Sequence, residues 1–241
     1  MACRVVLVHG AWHGAWAWER VVALLTAKRI PSTAVELPGH GTDRGPYGDL
    51  HSDAERVRDA IDQTDDDVIL VGHSYGGAVI TEAGTHPRVR HLVYIAAFAL
   101  EAGESCVSAA MADEGAGRIS HEGRPSLGDG FISGIDGLIT LDHATAAACF
   151  YNDCEADTVA WALARLGPQP LITLQGAPNT VAWRSKPSTY VVCADDLAVH
   201  PELQRILARR CDSTVEWQTD HSPFLCRPDL VADLLGNLAD E

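Results

Sequence analysis

Basic residues are scarce in this chain of 241, with 18 Lys and Arg against 33 Asp and Glu, a formal charge of −15. A surface of that sign repels phosphate backbones and anionic lipid, so neither nucleic acid nor a membrane is expected as a partner. Long apolar runs are missing too: no stretch approaches the ~20 residues needed to span a bilayer. The VVLV run near the start has neither the basic segment nor the long apolar core of a secretory signal. Repeats, low-complexity tracts and blocks of like charge are also absent, which leaves the composition of an ordinary globular protein. A chain of this length is expected to form one large domain. Such a domain buries roughly 70–75% of its unfolded surface and needs neither disulfide nor metal for stability.

Cysteine is present, but not as a framework. The seven are Cys3, Cys106, Cys149, Cys154, Cys193, Cys211 and Cys226. An odd count, irregular spacing and no secretory signal point to free thiols in a reducing cytoplasm. Cys149 and Cys154 are too far apart for the CxxC redox motif, and no second pair completes a zinc set. Most of the seven read as small buried hydrophobes. No His/Asp cluster has ligand spacing on one element, so neither metal nor cofactor is expected.

What is present is an alternation of short β-branched runs and amphipathic stretches. Strands are predicted over residues 4–8, 33–37, 68–71 and 91–97, and helices over 16–28, 50–63 and 77–85. Val21, Val22, Leu24 and Leu25 should form the apolar side of the first helix, and Val57 and Ile61 the core contacts of the second. Continuous apolar strands separated by helices are what a parallel sheet covered on both faces requires. The pattern is that of a doubly wound, mostly parallel α/β fold.

The rhythm stops after Phe98. Residues 101 to about 188 are Gly-rich and polar, with one convincing helix at 158–166 and no strong strand. An insertion of that length in an alternating fold reads as a cap. The alternation resumes with a strand at 189–193, a helix at 201–210, a strand at 215–218 and a helix at 228–238. The expected division is a core of residues 1–100 and 186–241 and a cap of residues 101–185.

Gly72-His73-Ser74-Tyr75-Gly76 lies between an apolar strand and a helix, the setting of a G-x-S-x-G nucleophile elbow. A serine nucleophile needs a base, and the base needs an orienting acid, in the chain order Ser, Asp or Glu, His. An apolar strand at 190–193 runs into Asp195 and Asp196, and a last strand runs into Asp220 and His221. Strand ends of this kind converge at the carboxyl edge of an open sheet. Of eleven histidines only His221 has both the position and the order; His51, His86, His91, His121, His143 and His200 read as solvated surface. Asp196 is preferred to Asp195, and Asp220 is weaker because neighbouring side chains on an extended segment point apart. The oxyanion donors should be the backbone N–H groups of Tyr75 and of Ala11, in the loop His9-Gly10-Ala11-Trp12 after the first strand.

VLVHGAWHGAWAW, VELPGHG, GHSYGG, AAFALEAGES, PSTYVVCADDLAVHPELQ and DHSPF together resemble the α/β-hydrolase superfamily. The likeness is greatest to the branch of plant methylesterases, hydroxynitrile lyases and small bacterial esterases, and covers most of the chain apart from the middle of the cap. It implies a largely helical cap inserted after the sixth strand, a triad of Ser74, Asp196 and His221, and oxyanion donors at Ala11 and Tyr75. The lyase pattern has a threonine where this chain has Gly10 and a lysine where it has Ser222, so the esterase pattern fits better.

The expected activity is hydrolysis of a small or medium carboxylic ester through an acyl-serine. A lactonase, a C–C hydrolase or a hydroxynitrile-lyase-like enzyme could use the same triad, and a ligand-binding protein could retain it. Trp12 and Phe98 should reach the substrate pocket, implying an apolar acyl or alcohol group. Trp16 and Trp18 should pack the first helix, and Phe150, Trp161 and Trp183 are candidates for the pocket entrance. The sequence contains no signal for oligomeric state.

Overall fold

A computed structural model describes residues 3–115, 125–134 and 136–240. Its core is a six-stranded sheet formed by β1 (Cys3–Val8), β2 (Ser32–Val35), β3 (Asp67–His73), β4 (Val89–Ile95), β8 (Ser188–Cys193) and β9 (Ser213–Trp217), in the order β2-β1-β3-β4-β8-β9. Every pairing in it is parallel. Side chains alternate between faces along a strand, so the complete burial of Val68, Ile69, Leu70 and Val71 shows that both faces are covered. Helices α1 (Glu19–Ala27) and α10 (Pro228–Asp240) pack on each other, as do α2 (Leu50–Asp62) and α3 (Gly76–Ala83).

The chain steps from β1 to β2 on one side, then returns to place β3 on the other side of β1. Ligands bind at such a reversal, outside the carboxyl ends of the strands. Pairing of Val8 with Gly72 and of His73 with Ile95 brings those ends level, so the loops that follow β1, β3 and β4 start from one edge.

Local chemistry sets several boundaries. Asp49 caps α2 by accepting from Ser52 N–H, and Ser52 Oγ accepts from Asp49 N–H in return. Helix α8 (Pro201–Ala208) starts with proline at its first turn and His200 as cap. The first predicted helix divides into a 3₁₀ turn, Ala15–Trp18, and α1. On α1 the buried pair is Val21 and Leu25, four residues apart, while Leu24 is 36% exposed. The apolar side is therefore narrower than the expected four residues, because Val22 and Leu24 lie on opposite flanks of the Val21–Leu25 row, each about 80° round the helix from it.

The insertion between β4 and β8 contains α4 (Cys106–Gly115), β5 (Phe131–Ser133), β6 (Leu138–Leu141), α5 (His143–Phe150), α6 (Ala156–Leu163), β7 (Gln169–Pro170) and α7 (Leu171–Gln175). It corrects one expectation. Four sheet strands among the described residues, not six, precede the insertion. The insertion also has an antiparallel sheet, β5-β6-β7, alongside its helices. Its strands left little trace in the sequence because all three residues of β5 are exposed and β7 is two residues long, ending in proline. His121 lies outside the described residues. Among the described residues no helix is long and apolar enough to cross a membrane. All seven cysteines are unpaired, but only Cys106, Cys149 and Cys193 are fully buried, fewer than their reading as small hydrophobes implied.

Candidate functional site

Ser74 occupies the turn between β3 and α3 with φ of 51°, a left-handed backbone that a side chain rarely adopts. Strain of this kind costs about 1–3 kcal/mol and persists only where the surroundings enforce it. Here they do so by close approach. A Cβ at Gly72 would lie 2.5 Å from Gly76 O, and one at Gly76 would lie 2.7 Å from Val8 O. Ser74 N–H donates to Ile95 O at 3.2 Å, and Ser74 O accepts from Phe98 N–H at 3.1 Å and Gly77 N–H at 2.9 Å. The turn is thus tied to the end of β4 and to the first turn of α3.

His221 follows β9 and is buried, with Nδ1–H donating to Asp196 Oδ2 at 2.7 Å. Asp196 is held by several other donors. Its Oδ1 accepts from Ala198 N–H at 2.7 Å and Val199 N–H at 2.9 Å, and its Oδ2 from Gln204 Nε2 at 2.7 Å. Asp195 is exposed. Asp220 is buried but engaged elsewhere, accepting from Ser222 N–H at 2.8 Å and Asp153 N–H at 3.0 Å. His73 Nε2–H donates to His221 O at 2.9 Å and so joins the turn at Ser74 to the loop of His221. Burial and the neighbouring His221 hold His73 well below the ordinary histidine range, so its neutral ring puts no second charge beside His221. Phe150 stacks on the His221 ring with centroids 5.4 Å apart.

The loop after β1 is held largely by the insertion. Trp12, with φ of 62°, gives its backbone N–H to Gln169 Oε1 at 3.0 Å and its indole Nε1–H to Ile139 O at 2.8 Å. Its carbonyl accepts from Gly167 N–H at 2.8 Å. His13 Nδ1–H donates to Ala11 O at 2.7 Å, and His13 Nε2 accepts from Tyr151 O–H at 2.8 Å. That pair of roles requires a neutral ring, which burial favours by lowering the His13 pKa to about 4. Gly10 has no room for a side chain, since a Cβ would lie 2.8 Å from His73 Nδ1 and 3.0 Å from Ser74 Cβ.

Behind Tyr75 lies a buried carboxyl. Tyr75 O–H donates to Asp53 Oδ2 at 2.6 Å, and Asp53 Oδ1 has no partner among the described residues. Burial raises the Asp53 pKa to about 7. An unfolded aspartate ionises near ~3.9, so across the interval between the two values the folded chain keeps a proton that the unfolded chain has lost. Stability is therefore greatest below the unfolded value and declines as pH rises through about 7. Asp53→Asn keeps an acceptor for Tyr75 and cannot ionise. Its melting temperature should fall less than that of the parent between about pH 5 and about pH 8. Parallel melting profiles for the two proteins would refute the assignment.

These parts surround a cavity of about 380 Å³. Ala11, Trp12, Ser74, Tyr75, Phe98, Asp196 and His221, the seven candidate residues, all line it. Phe150, Trp161 and Trp183 do not; they pack on His221, on Trp16 and against Leu100 O respectively. Those aromatics reach inward to neighbouring elements, so they do not form the expected entrance. Instead the exposed Met111 and Phe131 line the cavity, and so does His200, which had read as solvated surface. Trp18 is buried against Phe224, whereas Trp16 stacks on His13. Gln169, Tyr151 and Asp53 lay outside every motif, and His13 and Gln204, although inside the segments that carry the resemblance, had no role assigned.

Residues 5–234 match the family described as "Alpha/beta hydrolase family". A carbendazim hydrolyzing esterase of Nocardioides sp. (strain SG-4G) is 31% identical over 256 residues, spanning 98% of this chain and 96% of that protein. Methylesterase 2 of Arabidopsis thaliana is 27% identical over 254 residues, spanning 98% and 95%. A pyrethroid hydrolase from Sphingobium faniae JZ-2, of solved structure, superposes with a TM-score of 0.85 at 22% identity, covering 100% of this chain and 98% of that one. At that identity the likeness concerns the fold.

Proposed function

The chain belongs to the alpha/beta hydrolase family, and from that premise we propose that it is a serine esterase acting on small or medium carboxylic esters. The observation that carries this reading is the 2.7 Å bond from His221 Nδ1–H to Asp196, with His221 and Ser74 lining one cavity. With Nδ1 protonated, Nε2 is left as a lone pair able to accept the Ser74 proton.

In the proposed cycle Ser74 Oγ attacks the ester carbonyl carbon while its proton passes to His221 Nε2. The carbonyl oxygen becomes an oxyanion that accepts from the backbone N–H groups of Ala11 and Tyr75. Trp12 N–H, the alternative donor on that loop, is already given to Gln169. Collapse of the tetrahedral intermediate expels the alcohol, which leaves with the proton from His221. Water then attacks the acyl-serine, again giving its proton to His221, and releases the carboxylic acid as Ser74 is reprotonated. Asp196 orients the His221 ring and stabilises the imidazolium that forms.

The lining favours an uncharged substrate. Among the described lining residues there is no lysine or arginine, and Phe98, Val107, Leu127, Leu171 and Leu174 present apolar surface. A cavity of about 380 Å³ lies toward the small end of ligand pockets, which run from about 300 to 1,000 Å³. The names of two relatives, a carbendazim hydrolyzing esterase and a methylesterase, support ester hydrolysis as the reaction. The crowding at Gly10 opposes a lyase reading, since a threonine side chain there would collide with His73 and Ser74. Seven unpaired thiols fit action in a reducing compartment such as the cytoplasm.

A p-nitrophenyl alkylphosphonate tests the reaction class. It should release one p-nitrophenol per chain and leave its phosphonyl group on the peptide carrying Ser74. Modification of another residue, or continued ester turnover with Ser74 unmodified, would sink the proposal.

A further inference from the structure

Next to His221, but not among the residues that line the cavity, three groups meet that the proposed reaction does not use. Cys154 follows α5 in the insertion, Asp220 directly precedes His221, and Cys226 closes α9 (Pro223–Cys226). Cys154 Sγ lies 3.5 Å from Asp220 Oδ2 and Cys226 Sγ lies 3.2 Å from Asp220 Oδ1. Together the two sulfurs and one carboxylate oxygen lie within 4.8 Å of one another. We propose that Cys154, Asp220 and Cys226 bind one thiophilic divalent cation of the zinc class, and that its binding slows the esterase by fastening the cap to the loop of His221.

The spacing suits the ion. Tetrahedral zinc with bonds of about 2.3 Å to sulfur and about 2.1 Å to oxygen needs sulfurs about 3.8 Å apart and sulfur–oxygen separations near ~3.6 Å. The cluster reaches those separations with shifts of a few tenths of an ångström to about 1 Å. The carboxylate is already oriented by Asp153 N–H at 3.0 Å and Ser222 N–H at 2.8 Å, the outer hydrogen bonding that ligating carboxylates require. No cationic side chain is among the donors that bond Asp220; two are amides and two are thiols. Binding would release the two thiol protons, leaving two thiolates and one carboxylate around a dication, a net charge of −1. Both cysteines are half-buried, which gives an ion a way in. Three protein ligands leave the fourth position to water, as in an exchangeable rather than a closed structural site.

The site spans two parts of the fold. Tyr151, three residues before Cys154, bonds His13, and Phe150 stacks on His221. A cation tying Cys154 to Asp220 would therefore pull on both the loop after β1 and the backbone that carries the base. Displacements of about 1 Å can cost 10²-fold in rate. The effect on turnover rests on the esterase reading; the binding site does not.

The test uses the reduced, metal-free full chain titrated with Cd²⁺, monitored by the ultraviolet thiolate-to-cadmium charge-transfer band. Saturation at one ion per chain is expected, with Zn²⁺ competing. Cys154→Ser and Cys226→Ser should each weaken binding by more than the ~10–100-fold typical of an outer-shell change. Cys211→Ser, on a thiol away from the cluster, should leave it unaltered. Ester turnover should drop at least tenfold (~10) with the same midpoint and return on adding EDTA. No saturable band, or one that persists at the same midpoint in both cluster variants, overturns the site. A normal band with unchanged turnover overturns the control of the base. Failure of the metal-free protein to hydrolyse any ester counts against the esterase reading and leaves the binding result standing.

Discussion

Ser74→Ala is expected to reduce kcat/KM for short p-nitrophenyl esters by at least ~10³-fold, with residual activity from the oxyanion donors and binding alone. Losing the nucleophile removes the covalent route altogether, which is why the effect should fall mainly on kcat. The variant should fold, because alanine is no larger than serine and meets the same φ of 51° at that turn. The parent should favour acetate and butyrate over long acyl chains, because a cavity of about 380 Å³ bounded by Trp12 and Phe98 has limited depth. Equal, feeble hydrolysis by both proteins would show that the activity does not pass through Ser74.

Asp196→Asn should cost about 10⁴-fold in kcat. An asparagine at that position presents N–H₂ to His221 Nδ1, which moves the ring proton to Nε2, where the Ser74 proton has to go. In that orientation Oδ1 keeps the bonds from Ala198 and Val199, but the amide N–H₂ meets the Gln204 Nε2 donor, so its melting temperature must be measured with its rate. A large rate loss in a protein that melts near the parent separates orientation of the base from damage to the fold. Asp195→Asn, on an exposed side chain, should leave kcat near the parent value. A reversed pattern, with Asp195→Asn inactive and Asp196→Asn active, would transfer the orienting role.

Both predictions begin from signals that lie along the chain. The G-x-S-x-G elbow is legible because a strand, a strained turn and a helix are consecutive, and each has its own composition. His221 is legible because its chain order and strand-end position leave no rival among eleven histidines. The parallel core is legible because strands covered on both faces need unbroken apolar runs, and Val68–Val71 is such a run. The small β5-β6-β7 sheet was not, because its strands are short or exposed and their pairing partners are distant in sequence.

The sequence alone carried the parallel α/β architecture, the G-x-S-x-G turn at Ser74 and the strand-end place of His221, which depend on periodicity, on chain order or on neighbours within a few residues. It preferred Asp196 to Asp195 as the partner of His221, on a strand end that holds both. Only the tertiary structure shows how their surroundings differ, with Asp196 buried among four donors and Asp195 in solvent. The same holds for the hold of Gln169 on the loop after β1, the Asp53–Tyr75 pair and the meeting of Cys154, Asp220 and Cys226. Each joins residues from separate elements, and a hydrogen bond or ligand distance of about 2–4 Å is set by how those elements pack. Nothing in the spacing of the residues along the chain encodes it.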